Sequence, residues 1–266
     1  MLVAIRGAGD IASGVACRLY ACGFSVVMTD LPTPTAIRRT VCFSEAIRQG
    51  SARVENVEAR LAADTAQAKT ILDEGCIAVF ADSTGHCCKA MQPAVLIDAI
   101  LAKQNLGTTI ADAPVVIALG PGFTAGQDCH AVVETMRGHT LGRVYYEGGA
   151  LPNTGIPGSI GDFTIQRVLR APADGVFQAK KQIGDTVERG ELIARVDETA
   201  ILAPIAGVLR GLLSDGITVQ QGLKCGDIDP RCEVSHCYQV SDKALAIAGG
   251  VLEAILHLTG GTHHGI

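Results

Sequence analysis

The chain has 266 residues, of which 48% are hydrophobic and only 4% aromatic, and its formal net charge is -5. This length and apolar content exclude a disordered chain, and the scattered basic residues exclude the positive patch of a nucleic-acid-binding protein. No apolar run reaches the roughly 18 residues that span a bilayer and no signal-peptide pattern is visible, so we expect a cytoplasmic protein with no membrane or nucleic-acid partner.

A strand, a glycine motif, a helix and a second strand follow one another in the first thirty residues. Residues 2–5 are a short apolar run of the kind that fills a parallel strand, and the nine residues after it, RGAGDIASG, fit the pattern G-x-G-x-x-A. Residues 11–20 predict a helix, and the apolar run 24–28 predicts a second strand that leads into Thr29 and Asp30. This order is typical of a dinucleotide-binding unit.

Each position of the motif has a mechanical role if a nucleotide binds there. Gly7 permits a tight turn, and Gly9 lets a diphosphate approach the main chain at the helix N-terminus. Asp30 lies 21 residues after Gly9, where a carboxylate accepts hydrogen bonds from an adenosine ribose. Asp10 departs from the pattern, because an acid in this turn repels a dinucleotide unless it caps the helix or faces a cation. We predict a cofactor site that contains Gly7, Ala8, Gly9, Asp10, Ile11 and Asp30, against the alternative of a purely structural turn.

Two arginines, Arg38 and Arg39, follow Pro34 in the loop after the second strand. Either they reach toward the bound phosphates, or they are a solvated pair at the start of a helix. The sequence leaves both interpretations open, and Arg38 is included in the predicted cofactor site.

Further strand-like and helical runs alternate as far as residue 119. Strands are predicted over residues 52–57, 76–80, 95–97 and 115–119, and helices over residues 64–72 and 98–103. Such alternation predicts an α/β fold with a Rossmann-like, doubly wound parallel sheet. Ligands of such sheets bind beyond the carboxyl ends of the strands, so the loops that follow the strands are the places to look for chemistry.

The loop after residue 119 is rich in glycine. Gly120 and Gly122 allow main-chain N–H groups to turn toward an anion, and Phe123 follows them, so these three residues join the predicted cofactor site. Glu134 and Arg137 come shortly afterwards. Their side chains lie on the same face if this stretch is a helix and on opposite faces if it is a strand. Either the two residues belong to a functional pocket, or they form an ion pair that stabilises a turn.

Turn-forming residues over 147–161 predict a domain boundary near residue 160, which gives a nucleotide-binding domain over residues 1–160. Six positions then repeat at an offset of 32 residues, for example Gly175 with Gly207. The repeat predicts an all-β module over residues 161–232, two copies of which clasp into one flattened barrel. Its pattern resembles the biotinyl and lipoyl barrel-sandwich domains. No lysine lies between Lys181 and Lys224, where those carriers place their modified lysine, so a carrier role is excluded.

The end of the chain carries an acidic turn and an apolar helix. Asp227 and Asp229 either hold a cation or cap the turn. Ser241 is the predicted N-cap of a helix over residues 242–258 that is apolar on nearly every side and must be buried. We therefore expect residues 233–266 to pack back on the first domain, which makes the β-module an insertion rather than an appended domain.

Seven segments together resemble the YqeB family, accessory proteins of selenium-dependent molybdenum hydroxylases. The opening motif is also similar to the XdhC-type molybdenum-cofactor chaperones. The resemblance implies a maturation or chaperone protein with a molybdenum hydroxylase as client and with NAD(P) or a molybdopterin dinucleotide as the bound cofactor; self-association into a homo-oligomer stays open. The segments are RGAGDIASG (6–14), IRRTVCFSEA (37–46), IALGPGFTAG (117–126), ETMRGHTLGR (134–143), NTGIPG (153–158), LKCGDIDPR (223–231) and SDKA (241–244).

Two other functions are consistent with the residues. An NAD(P)-dependent oxidoreductase would use His130 or His139 beside the second glycine loop as its proton donor. A sulfur or selenium transferase would use an exposed thiol of low pKa, for which Cys87, Cys88 and Cys129 are the candidates. The ten cysteines show no CxxC pairing, so we predict free thiols and no metal site.

Overall fold

The computed structural model describes residues 1–153, 155 and 163–260, so the boundary predicted near residue 160 lies outside the described residues. The chain divides into two units. Unit 1 comprises Met1–Pro34, Cys42–Thr154 and Val240–Ile266, and unit 2 comprises Thr35–Val41 and Gly155–Gln239. Unit 1 is therefore discontinuous along the sequence, and the last helix of the chain belongs to it.

The described residues of unit 1 form one sheet of nine strands. Its order is β3-β4-β5-β2-β1-β6-β7-β8-β9. The strands from β4 to β8 in this order run parallel, whereas the edge strands β3 and β9 run antiparallel to their neighbours. The strands are β1 (Leu2–Arg6), β2 (Ser25–Asp30), β3 (Ser51–Val54), β4 (Val57–Leu61), β5 (Ile77–Ala81), β6 (Val95–Asp98), β7 (Val115–Leu119), β8 (Ala131–Val133) and β9 (Val144–Tyr145).

The predicted fold class, a doubly wound parallel sheet with a barrel-sandwich module, is wrong. The sheet is mixed, because antiparallel strands close both of its edges. The connections from β6 to β7 and from β7 to β8 are fully described and contain no helix, whereas a doubly wound sheet requires helical crossovers there. The helix predicted over 98–103 is replaced by a loop in which Leu101 and Lys103 have φ of 59° and 65°, outside the right-handed helical region.

The described residues contain five α-helices. The helix predicted over 11–20 is confirmed as α1, and the one predicted over 64–72 as α3. None of the five is both long enough and apolar enough to cross a membrane. The helices are α1 (Asp10–Ala21), α2 (Glu45–Gln49), α3 (Thr65–Asp73), α4 (His86–Ala90) and α5 (Asp242–Thr259).

Helix α5 packs against α1 and against β7, β8 and β9. The predicted N-cap is confirmed, since Ser241 Oγ accepts a hydrogen bond of 3.2 Å from Ala244 N–H. A side chain on Gly14 of α1 would place its Cβ 2.6 Å from the Cβ of Ala244, so the glycine allows the two helices to approach each other closely. The apolar faces of α1 and α5 thereby cover one another in the core of unit 1.

Unit 2 has two separate antiparallel sheets of four strands in its described residues, rather than the single barrel expected. Their orders are β10-β17-β15-β12 and β14-β13-β11-β16. A shift of 32 residues converts one order into the other, so each sheet contains two strands from each copy of the repeat. The strands are β10 (Val168–Arg170), β11 (Gly175–Ala179), β12 (Thr186–Val187), β13 (Leu192–Val196), β14 (Thr199–Leu202), β15 (Gly207–Leu212), β16 (Thr218–Val219) and β17 (Lys224–Asp229).

Candidate functional site

The loop between β1 and α1 lies where the order of the sheet reverses. The strands β2 to β5 all lie on one side of β1, and β6 to β9 lie on the other side, so the chain crosses over at β6. Among parallel strands, the carboxyl ends at such a reversal are the usual place for a ligand. The glycine motif of the sequence occupies this position.

Gly7 is a glycine for reasons internal to the fold. Its φ of 101° is unfavourable for any residue with a side chain, and a Cβ at this position would lie 2.8 Å from the carbonyl oxygen of Ala99. The Gly7 N–H also donates a hydrogen bond of 2.8 Å to the carbonyl of Thr29. The turn after β1 thus packs closely against the loop after β6. The packing of the chain alone accounts for a glycine at position 7, without any ligand.

Ala8 is held by the protein on both sides of its main chain. Its N–H donates to Asp30 Oδ2 at 2.7 Å. Its carbonyl accepts hydrogen bonds from the hydroxyl of Ser13 at 3.1 Å and from the N–H of Ser44 at 3.0 Å. The amide of Ala8, a residue of the predicted cofactor site, is therefore already bound by a carboxylate of the chain.

Gly9, in contrast, has no need of glycine within the fold. Its φ of -70° and ψ of -175° are extended values that any residue adopts. Nothing in the described part of the chain lies within 4 Å of a Cβ built on Gly9, and its N–H has no hydrogen-bond acceptor there. The missing side chain leaves open space and a main-chain donor at the N-terminus of α1.

Two carboxylates stand at the same helix end. Asp30 accepts hydrogen bonds from the N–H groups of Ala8 and Leu31, and its pKa is raised because burial outweighs the effect of those two bonds. Asp10 opens α1, and its Oδ1 accepts from Ile11 N–H at 2.9 Å. A negative charge in the first turn stabilises a helix, so Asp10 has a structural role here as well.

The structure brings the first group of predicted residues together, namely Gly7 to Ile11 with Asp30. The glycines of the second loop have structural explanations. A Cβ on Gly120 would lie 2.7 Å from Thr135 Oγ1, and a Cβ on Gly122 would lie 2.6 Å from the Cα of Gln104. The ring of Phe123 is buried in a core cluster of unit 1 together with β6, β7 and β8. These three residues are therefore explained by the packing of the chain.

Arg38 lies in unit 2, whereas the glycine motif lies in unit 1. It is buried and donates hydrogen bonds to the carbonyls of His236 at 2.9 Å and Gln239 at 3.2 Å. Arg39 donates to the carbonyl of Leu212 at 2.8 Å. The helix expected after Pro34 is replaced by a short 3-10 turn over Arg39–Val41, and both arginines bind main-chain oxygens of their own unit.

Sequence reasoning missed a buried ion pair beneath the glycine turn. Arg6 ends β1 and Asp98 ends β6, and the guanidinium nitrogen Nη1 of Arg6 lies 3.6 Å from Asp98 Oδ2. Thr108 joins them, since its hydroxyl donates to Asp98 at 2.6 Å and accepts from Arg6. All three side chains are buried, where a charge must be paired. The signal in the sequence was a charged residue at the end of each of two apolar runs.

The candidate thiols do not have the low pKa that sulfur transfer requires. Burial raises the pKa of the buried Cys129 to about 12 and also raises the pKa of the buried Cys88. Burial and the neighbouring Asp82 raise the pKa of Cys87. All ten cysteines lie in the described part of the chain and are free thiols. At neutral pH the three candidates are protonated and are weak nucleophiles.

The polar residues after β7 are engaged with the chain itself. The Nδ1 atom of His130 accepts a hydrogen bond of 3.0 Å from Val116 N–H. Glu134 is buried directly after β8 and accepts from the amides of Thr135, Met136 and Leu151. The ion pair of Glu134 with Arg137, the alternative that the sequence left open, does not form, and Arg137 instead makes two hydrogen bonds with Asp242, at 2.8 and 3.0 Å. This stretch organises the loops around β8.

The acid pair of unit 2 binds arginines. Asp227 contacts Arg167 and receives a hydrogen bond of 2.9 Å from Arg210 Nε. Asp229 receives hydrogen bonds of 2.9 and 2.6 Å from Arg231, and its Oδ2 lies 3.6 Å from Arg210. The described residues contain no group of three or more side chains that would ligate a metal ion. Both carboxylates are buried in this network of charges.

The pKa of Asp229 makes unit 2 sensitive to acid. Burial raises this pKa, but the hydrogen bonds and charges of Arg231 and Arg210 outweigh it and lower it to about 2. An unfolded chain has an aspartate pKa of about 3.9, so Asp229 stabilises the folded state above about pH 4, and this contribution is lost as the pH falls from about 4 to about 2. We expect hydrogen-exchange protection of β17 to decline through this window, and to decline less steeply in Asp229→Asn. Equal slopes for the two proteins would contradict the assignment.

Comparison with known proteins gives one match in sequence. No protein-family model matches the chain. The uncharacterized protein YqeB of Escherichia coli (strain K12) is 53% identical over 265 residues, which cover 100% of this chain and 48% of that protein. The chain thus spans about half the length of the curated relative that it matches.

Solved structures give only weak similarity. An aspartoacylase family protein from Mesorhizobium loti matches at 13% identity over 85% of this chain and 84% of its own, with a TM-score of 0.28. The apo ectoine utilization protein EutE (DoeB) from Ruegeria pomeroyi matches at 12% identity over 85% of each chain, with a TM-score of 0.27. Scores of this size support no conclusion about fold or function. The sequence match instead supports the resemblance to the YqeB family alone, because the whole of this chain aligns with about half of YqeB at 53% identity.

Proposed function

We propose that the chain binds a nucleotide-bearing cofactor at the loop between β1 and α1. In this proposal the N–H of Gly9 donates to a phosphate oxygen, and Asp30 accepts a hydrogen bond from a ribose hydroxyl. The observation that carries it is the unexplained glycine at position 9. Its backbone angles suit any residue and its surroundings are open, so neither strain nor packing requires glycine there, and an approaching ligand gives a reason for the missing side chain beyond the N-cap preference.

The electrostatics of the loop favour particular ligands. Helix α1 has 12 residues, and its N-terminal dipole attracts a phosphate. The carboxylates of Asp10 and Asp30 oppose that attraction. A ribose diol satisfies the remaining acceptor capacity of Asp30, whereas a phosphate on the same ribose would face it with like charge. We therefore expect NAD to bind more tightly than NADP.

The proposal extends to a biological role in enzyme maturation. By resemblance to the YqeB family and to XdhC-type chaperones, the cofactor is NAD or a molybdopterin dinucleotide, and the chain assists the maturation of a molybdenum hydroxylase client in the cytoplasm. This role requires a binding site but no acid–base pair. The transferase alternative draws less support, because the candidate thiols have raised pKa values.

Gly9→Val tests the site directly. A valine side chain would fill the open space at the helix end, and we expect the Kd for the bound nucleotide to rise at least about 30-fold, equivalent to about 2 kcal/mol. The fold should tolerate the change, with a loss of about 1 kcal/mol from the poorer N-cap. Isothermal titration calorimetry with NAD, NADP, ATP and a cytidine dinucleotide measures the affinities.

Gly249→Ala is the matched control, since Gly249 lies on α5 and also has open space around a Cβ. It should leave every affinity unchanged. The proposal fails if the unmodified chain binds none of the four nucleotides, or if Gly9→Val binds them as tightly as the unmodified chain does.

A further inference from the structure

We propose that Ser13 is a positioning residue that aims the Gly9 N–H at the bound phosphate. The inference rests on the proposed function and names the part of the site that fixes the phosphate donor. Ser13 lies in the first turns of α1, is fully buried and would not itself touch the ligand. Its role would be to set the orientation of one peptide group.

The peptide group in question joins Ala8 to Gly9. Its carbonyl accepts two hydrogen bonds, from Ser13 Oγ at 3.1 Å and from Ser44 N–H at 3.0 Å. Because a trans peptide is planar, its N–H points in the direction opposite to its C=O. Two donors on the carbonyl therefore fix the N–H of Gly9 on the side away from both serines, and that N–H has no acceptor in the described residues.

The hydroxyl of Ser13 is itself held in place. It accepts a hydrogen bond of 2.8 Å from Phe43 N–H while it donates to the Ala8 carbonyl. With the acceptor role taken by Phe43, the single proton of the hydroxyl is directed to Ala8. The segment that contains Phe43 and Ser44 thus supports the glycine turn through two main-chain N–H groups. Phe43 N–H holds the Ser13 hydroxyl in place, and Ser44 N–H binds the Ala8 carbonyl directly.

The helix geometry explains why the residue at position 13 has this reach. Ser13 N–H donates to the Gly9 carbonyl at 2.8 Å as the first regular bond of α1, which places Ser13 one helical turn beyond Gly9. Its side chain therefore points back toward the start of the helix, where the Ala8 carbonyl lies. Alanine at this position would preserve the helix but would remove one of the two donors to that carbonyl.

Ser44 provides a matched control, because it also binds the Ala8 carbonyl. Its contact with Ala8 uses the main-chain N–H, and its own hydroxyl is buried without a hydrogen-bond partner in the described residues. Ser44→Ala therefore removes a buried serine hydroxyl without touching the Ala8–Gly9 peptide. Ser13→Ala removes a buried serine hydroxyl that does hold this peptide.

The test uses the full chain labelled with ¹⁵N and two probes, inorganic pyrophosphate and adenosine, followed by NMR titration. In the unmodified protein we expect pyrophosphate to shift the Gly9 amide resonance. Ser13→Ala should weaken pyrophosphate binding about 5–10-fold, and Ser44→Ala should leave it within about twofold. Adenosine binding, which depends on Asp30, should be unchanged in both variants, an outcome that a general loss of stability would not produce.

Ser13→Cys serves as a second variant if the alanine form is poorly folded, because a thiol retains a weaker acceptor for Phe43 N–H and a weaker donor. It should weaken pyrophosphate binding in the same direction. Unchanged pyrophosphate affinity in both Ser13 variants overturns the inference and leaves the proposed function standing. Absence of any response to both probes in the unmodified protein overturns the proposed function and the inference with it.

Discussion

Asp227→Asn is expected to lower the free energy of unfolding of unit 2 by about 3–5 kcal/mol, the usual effect of removing one partner from a buried ion pair. Only 1% of the Asp227 side chain is exposed, and its two arginine partners, Arg167 and Arg210, are 8% and 12% exposed. Asparagine keeps the shape of the side chain and removes its charge. The buried guanidinium of Arg167 would then lose its contact with a charged carboxylate at Asp227, and that of Arg210 would keep the contact of 3.6 Å with Asp229.

Hydrogen exchange of the β15 and β17 amides measures this effect within unit 2. Lys181→Met is the control, because it removes an ion pair with Glu191 that lies at the surface of the same unit. Screening by water makes such pairs weak, so the exchange rates should hardly change. Similar losses of protection in the two variants would contradict a special role for the buried pair.

Gly7→Ala is expected to destabilise unit 1 by about 2–4 kcal/mol. Positive φ costs a residue with a side chain about 1 kcal/mol, and forcing a methyl group into a packed region costs about 1–3 kcal/mol more. The obstruction at this position is the main-chain carbonyl of Ala99, 2.8 Å from the new Cβ, which cannot rotate away as a side chain would. Thermal unfolding followed by circular dichroism reports the loss.

Gly9→Ala is the natural comparison, since it lies two residues away in the same motif. Its backbone angles are already suitable and its Cβ meets no atom of the described chain, so we expect at most about 1 kcal/mol from the N-cap preference. The two variants separate the glycine required by the fold from the glycine proposed to serve a ligand. Equal destabilisation by both would assign both glycines to the fold.

The first thirty residues could be predicted closely because their signals are local. The strand, the glycine turn, the helix and the second strand were each indicated by periodicity or by a breaker residue, and Asp30 does lie beside the turn. The N-cap at Ser241 was predicted for the same reason. In these cases neighbouring residues along the chain determine the local conformation.

The predictions from sequence were wrong or incomplete where contacts between distant segments determine the structure. Residues 52–57 were predicted as one strand, but Glu55 adopts φ of 51° and turns the chain into the β3–β4 hairpin. The three amides that surround Glu134 come from Thr135, Met136 and the remote Leu151, a combination that no spacing reveals. The pairing of Arg6 with Asp98 likewise depends on which strands become neighbours, and pattern alone does not determine that order.

The return of α5 to unit 1 also delays the completion of that unit during synthesis. A ribosome releases the strands of the large sheet first, then the long segment of unit 2 that begins at Gly155, and after that the helix that covers α1 and part of β7 to β9. Throughout that interval the apolar surface under α5 is exposed on the nascent chain. Synthesis of roughly one hundred residues therefore separates the last strand of the sheet, β9, from the end of α5. At about 5–20 residues per second this takes several seconds, and during that time a chaperone can bind the exposed apolar surface.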